Sequence, residues 1–93
     1  MKISPMKNTG SPLVFPCAYL LKILGENTNE FYAAVTSIME KHIAEGETVL
    51  YNTRTSSGGK YLSITATFTI HSQEQLTAIY QELSKHKSVL MIM

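Results

Sequence analysis

From Leu62 to Ile70 the chain alternates without a break: Leu62, Ile64, Ala66, Phe68 and Ile70 are apolar, and Ser63, Thr65, Thr67 and Thr69 between them carry hydroxyls. A period of two places the apolar set on one side of an extended segment, which predicts a half-buried strand with a polar outer face. Val49 to Thr55 upstream is rich in β-branched and aromatic residues, and Ser56-Ser57-Gly58-Gly59-Lys60 joins the two stretches. An antiparallel hairpin with a loop longer than a tight turn follows from that pattern. Phe15 to Leu24 also reads as a strand, with Tyr19, Leu21 and Ile23 on one face and Leu20, Lys22 and Leu24 on the other. Val89 to Met93 predicts a short closing strand, apolar on both faces.

Two stretches between these change to the helical period. Gly25 ends the first strand, and Asn27 followed by Glu30 reads as a capping-box start. Phe31, Ala34, Val35, Ile38, Met39 and Ile43 then form one stripe, with Gly46 placed as the terminating residue. Ser72 reads as the cap of a second helix, with Gln75 reaching back to it and Leu76, Ile79, Tyr80 and Leu83 as its apolar stripe. Lys85, His86 and Lys87 set cations at its negative end. Strand, helix, strand, strand, helix, strand predicts an α+β, ferredoxin-like βαββαβ two-layer sandwich. Its four-stranded antiparallel sheet is expected in the order 4-1-3-2, with both helices on one face.

A chain of 93 residues supports one modest core. Residues 13–93 therefore read as one domain, and residues 1–12, with Ser4, Pro5, Asn8, Gly10 and Pro12, as a flexible N-terminal tail. Eight basic and seven acidic residues leave a net charge of +1, without the basic stripe that tracks phosphates, so no nucleic-acid partner is expected. The RNA-binding version of this sheet needs aromatic residues on its central strands, and only Tyr61 and Tyr19 qualify. The apolar neighbourhood from Leu13 to Leu24 is broken by Pro16 and Lys22 and lacks a small-residue cleavage site, so neither a membrane span nor a signal peptide is expected. With a lone cysteine, Cys17, this makes the cytoplasm the expected location.

Residues suited to catalysis are sparse. The chain has no aspartate, and His42, His71 and His86 are dispersed with no cysteine or glutamate at metal-ligand spacing. Cys17 has no neighbour in sequence to activate it, and Ser56 and Ser57 lack the strand-to-helix elbow of a hydrolase nucleophile. The expectation is a non-enzyme with no metal and no cofactor.

Recognition is the remaining possibility. Tyr61, Ser63, Thr65, Thr67 and Thr69 face away from the core, as a solvated antiparallel sheet would. Leu20 and Leu24 beside them favour a covered face, which makes Leu20, Leu24, Thr65 and Thr67 candidate interface residues for a homodimer or another partner. In the loop, Gly58 and Gly59 allow successive amides to meet an anion flanked by Arg54 and Lys60, although a plain mobile hairpin tip explains the same residues. Gly25-Glu26-Asn27 leads into the amides of the first helix and is a second candidate, for a small carboxylate, beside the reading of an ordinary capped turn.

Phe15-Pro16, Tyr19, Lys22-Ile23-Leu24-Gly25, Ser56-Ser57, Gly59-Lys60-Tyr61, Ser63-Ile64-Thr65, Gln75-Leu76, Ile79-Tyr80, Leu83 and Val89-Leu90-Met91 together resemble the bacterial YbeD-like proteins of unknown function, over residues 14–93. One departure is Gly58, where the family usually carries lysine, which weakens a charge-based role for the loop. The resemblance implies a ferredoxin-like fold similar to the ACT regulatory domains. Those bind amino acids or other small effectors at the first strand-to-helix turn, usually across a dimer interface. It implies no catalytic residues. By this likeness Gly25, Glu26 and Asn27 are the effector turn, while Lys22, Ser56, Ser57, Gly59, Lys60 and Tyr61 are the family's own pattern. The expected function is a non-enzymatic regulatory or binding module that senses a small metabolite or regulates a partner enzyme. The alternative is an interaction module that docks a partner protein through its open sheet face or an edge strand, with no small-molecule ligand.

Overall fold

The alternating segment becomes one of the two ten-residue central strands of a four-stranded sheet. In a computed structural model, which describes residues 14–93, the order is β1 (Cys17–Glu26), α1 (Asn29–His42), β2 (Leu50–Thr55), β3 (Tyr61–Ile70), α2 (Gln73–Lys85) and β4 (Val89–Ile92). The tail expected over residues 1–12 lies outside the described residues. All three strand pairings are antiparallel and the sheet runs β2-β3-β1-β4, the expected order read from the opposite edge. Among the described residues no helix is long and apolar enough to cross a membrane.

One face of the sheet supplies Leu21, Ile23, Leu62, Ile64, Ala66, Phe68 and Ile70 to the core. Phe31, Val35, Ile38 and Met39 of α1 and Leu76, Ile79 and Leu83 of α2 close over them. Period two in the strands and period 3.6 in the helices thus meet in one apolar layer.

Several boundaries differ from the sequence reading. β1 starts at Cys17 and continues through Gly25 to Glu26, because both residues still pair with β3, opposite Leu62 and Tyr61. The first helix is capped by Thr28, whose hydroxyl accepts the Phe31 N–H at 3.1 Å. Asn27 is not its cap because that side chain is engaged elsewhere. Gly46, with φ of +88°, serves a separate turn in which the Glu47 N–H reaches the Ala44 carbonyl, after the helix has ended at an extended Ile43. Ser72 caps α2 as expected, accepting the Gln75 N–H, while the Gln75 side-chain Oε1 accepts from the N–H of His71, just before the cap.

The two helices are also joined by polar contacts. The Gln75 side-chain amide donates to the His42 carbonyl at 2.8 Å, and the Glu82 carboxylate meets both Lys41 and His42. Hydrogen bonds from Lys41 and then His42 hold the Glu82 carboxyl below the ordinary value of 4.5. A depressed carboxylate stabilises the fold above its unfolded-state value, and that contribution is lost as pH falls through the folded one. Glu82→Gln is therefore expected to melt below the wild type near neutral pH, with the difference shrinking as pH drops below 4.5 in parallel thermal melts.

Candidate functional site

Register fixes what the other face of the sheet presents. Leu20 lies opposite Thr67, which lies opposite Leu50; Lys22 opposite Thr65, opposite Asn52; Leu24 opposite Ser63, opposite Arg54. Met93 extends the middle row, exchanging two backbone hydrogen bonds with Lys22. These rows form a lattice of hydroxyls, apolar side chains and two cations, with no acidic side chain in it. Lys22 and Arg54 sit on a diagonal across β3, with Cα atoms about 12 Å apart from the spacing of strands and residues. Ser63 and Thr65 lie between them.

At the end of this lattice two turns are fastened together. The Asn27 side-chain amide donates to the Gly59 carbonyl and the Asn27 N–H to the Lys60 carbonyl, both at 3.0 Å. The hairpin loop is closed by its own bonds: Ser56 N–H to the Tyr61 carbonyl, Gly59 N–H to the Ser56 carbonyl, and Tyr61 N–H to the Ser56 hydroxyl. The β1–α1 turn and the β2–β3 loop, two separate candidates in sequence, are thus one corner of the molecule.

A pocket of about 330 Å³ opens beside that corner, lined by Lys22, Leu24, Arg54, Thr55, Ser56, Ser57, Tyr61, Ser63 and Met93. It gathers Lys22, Ser56, Ser57 and Tyr61 from the expected site and adds Arg54, Ser63 and Met93. Gly59 and Lys60 stay outside it and supply the carbonyls that Asn27 holds. Glu26 is exposed at the end of β1. Gly25 is buried: a Cβ there would come within 2.5 Å of the Phe31 ring and the Ser88 carbonyl, so its absence of a side chain serves packing. Leu20, Leu24, Thr65 and Thr67 all lie on the open face, Leu20 exposed and the others half-buried. Met93 was beyond sequence reasoning because its partner strand is set by tertiary pairing, and Ser63 was read only as part of the outer face and the family pattern because any alternating strand shows such serines.

All seven glutamates lie within the described residues, and among these residues neither Lys22 nor Arg54 has an ion-pair partner. The acid lies elsewhere: Glu40, Glu45 and Glu47 line a different pocket, after α1, together with Tyr51. Burial, then Glu40 and Tyr32, push the Tyr51 phenol above its ordinary value. Among the described residues no cluster of histidine, cysteine and acidic side chains is placed to hold a metal ion.

Glycine is required at only one of the two adjacent loop positions. Gly59 has φ of +75°, whereas an added Cβ at Gly58 meets open space and no left-handed backbone. Gly59→Ala is expected to cost about 1 to 2 kcal/mol, and Gly58→Ala to be neutral or stabilising by up to about 1 kcal/mol through the unfolded chain. Urea midpoints of the two variants check the contrast.

Residues 11–93 match the family described as "Protein of unknown function (DUF493)". The chain belongs to that family. A relative from Chromobacterium violaceum, named a UPF0250 protein, is 40% identical over 82 residues, covering 85% of this chain and 89% of its own. One from Neisseria gonorrhoeae with the same name is 34% identical over 91 residues, 98% of this chain and all of its own. The resemblance to the YbeD-like proteins is thereby borne out. Among solved structures, protein HP0495 from H. pylori matches with a TM-score of 0.76 at 14% identity, covering 100% of this chain and 98% of its own. The ACT domain of the GTP pyrophosphokinase of Chlorobium tepidum matches at 0.67 and 14% identity, over 84% and 96%. These two show the fold that this DUF493 member shares, the ferredoxin-like, ACT-like sandwich.

Proposed function

We propose that this DUF493 protein is a non-enzymatic binding module that takes up a small metabolite in the open-face pocket and through it regulates a partner enzyme. One observation carries the reading: side chains from β1, β2 and the β2–β3 loop converge on a cavity of ligand size, with two cations that have no ion-pair partner among the described residues. Support comes also from the corner next to it. In ACT domains the effector turn is the first strand-to-helix connection, and here that turn is tied by Asn27 to the loop that walls the pocket. Occupancy at the pocket therefore has a direct route to the start of α1.

A melting-temperature screen of the wild-type protein against amino acids and short-chain acids, lipoate included, tests this. Ligand at a hundred times its Kd adds about 2.7 kcal/mol, which raises the Tm of a domain this size by about 10 °C or more. A screen in which nothing raises the Tm contradicts the reading.

A second reading rests on a different observation: Leu20, Leu50 and Met93 on the same face are 61%, 70% and 58% exposed. Such an apolar strip suits a protein partner or a second copy of this chain. Light scattering decides for self-association, since a dimer that Leu20→Asp returns to monomer is the expected result of that reading.

A further inference from the structure

Resting on the pocket reading above, we propose that the ligand is a small monocarboxylate with a short apolar chain, its carboxylate held between Lys22 and Arg54 over Ser63. The two cations approach from opposite sides of β3, and the hydroxyl between them offers a donor to an anion's oxygen. The rest of the lining sets the apolar surface of Leu24, Met93 and Tyr61 beside the hydroxyl residues Thr55, Ser56 and Ser57: Leu24 stands next to Ser63 in its row and Met93 next to Lys22. The combination suits an anionic head and a short apolar body, and no side chain of the lining is acidic.

A phosphate is the poorer match. Phosphate sites use runs of free backbone amides, and here the Gly59 and Tyr61 amides are spent on the Ser56 carbonyl and hydroxyl. What remains is side-chain charge, and the planar fork of Arg54 pairs a carboxylate without needing backbone amides.

The test is a set of titrations of the ¹⁵N-labelled protein with sodium hexanoate, hexylammonium chloride, sodium acetate and hexyl phosphate, followed by amide chemical shifts. Hexanoate is expected to shift Lys22, Arg54, Ser63 and Ser57 with saturation, acetate to bind about tenfold more weakly or worse, and hexylammonium not at all. Lys22→Gln and Arg54→Gln are both substitutions of exposed residues, expected to leave the spectrum dispersed and to weaken hexanoate by about tenfold each. Hexanoate binding that survives both substitutions overturns the inference, as does hexyl phosphate binding more tightly than hexanoate. If hexylammonium or a neutral compound from the thermal screen shifts the same residues while hexanoate does not, the carboxylate assignment fails and the pocket reading stands. If no compound moves a pocket resonance, both fail.

Discussion

Replacing Gly25 with alanine is expected to destabilise the domain by about 2 to 3 kcal/mol, the cost of forcing a methyl group into a filled core. In a domain of this length that lowers the Tm by roughly 10 to 20 °C. Gly25 falls on the core side of β1, in step with Leu21 and Ile23, at the point where pairing with β4 slips between Leu24 and Gly25. An alanine Cβ would sit 2.5 Å from Cε1 and 2.6 Å from Cδ1 of Phe31, and 2.5 Å from the Ser88 carbonyl oxygen. A ring can tilt, but a backbone carbonyl at the foot of β4 cannot move without dragging the strand. The double variant with Phe31→Leu is therefore expected to recover only part of the loss. Full recovery would assign the whole cost to the ring.

Phe31→Ala carries the larger effect, about 3 to 5 kcal/mol, against a total stability of about 5 to 15 for a domain of this kind. Phe31 is fully buried at the first turn of α1, and its N–H is the donor to the Thr28 cap. Truncation removes the ring that Gly25 makes room for and leaves a cavity between β1, α1 and the segment around Ser88. Denaturant melts should show a midpoint moved far down with an unchanged slope. Because the cap hydroxyl and Asn27 remain, the corner should keep its hydrogen bonds wherever the variant is folded. A loss of less than about 1 kcal/mol would mean that the turn is not packed as described.

The elements were legible where one period dominates. Leu62 to Ile70 has a single reading, and Ser72 with Gln75 marked the second helix to the residue. Asn27 misled because its side chain is chemically fit to cap a helix and equally fit to hold a distant carbonyl. Only the approach of Gly59, 32 residues away, decides between the two. Gly46 misled for a related reason: it was placed as the residue that ends the helix, but its left-handed φ serves a turn three residues past the C-cap. Of the site, Lys22 and the Ser56 to Tyr61 loop were visible as a pattern. That Arg54 joins Lys22 across Ser63 depends on a register, and a shift of one residue in β2 would turn Arg54 to the helix side. Gly25 drew notice as part of a ligand turn, whereas its burial ties it to the core.

The pocket is most directly tested by isothermal titration of the metabolite that raises the wild-type Tm, against the wild type and the Lys22→Ala/Arg54→Ala double variant. Both side chains are exposed, so the double variant should melt within about 0.5 kcal/mol of the wild type. The expected result is saturable binding to the wild type and an affinity lower by about a hundredfold in the variant. Equal affinity in a folded double variant would place the ligand elsewhere and contradict the pocket on the open sheet face as the working site.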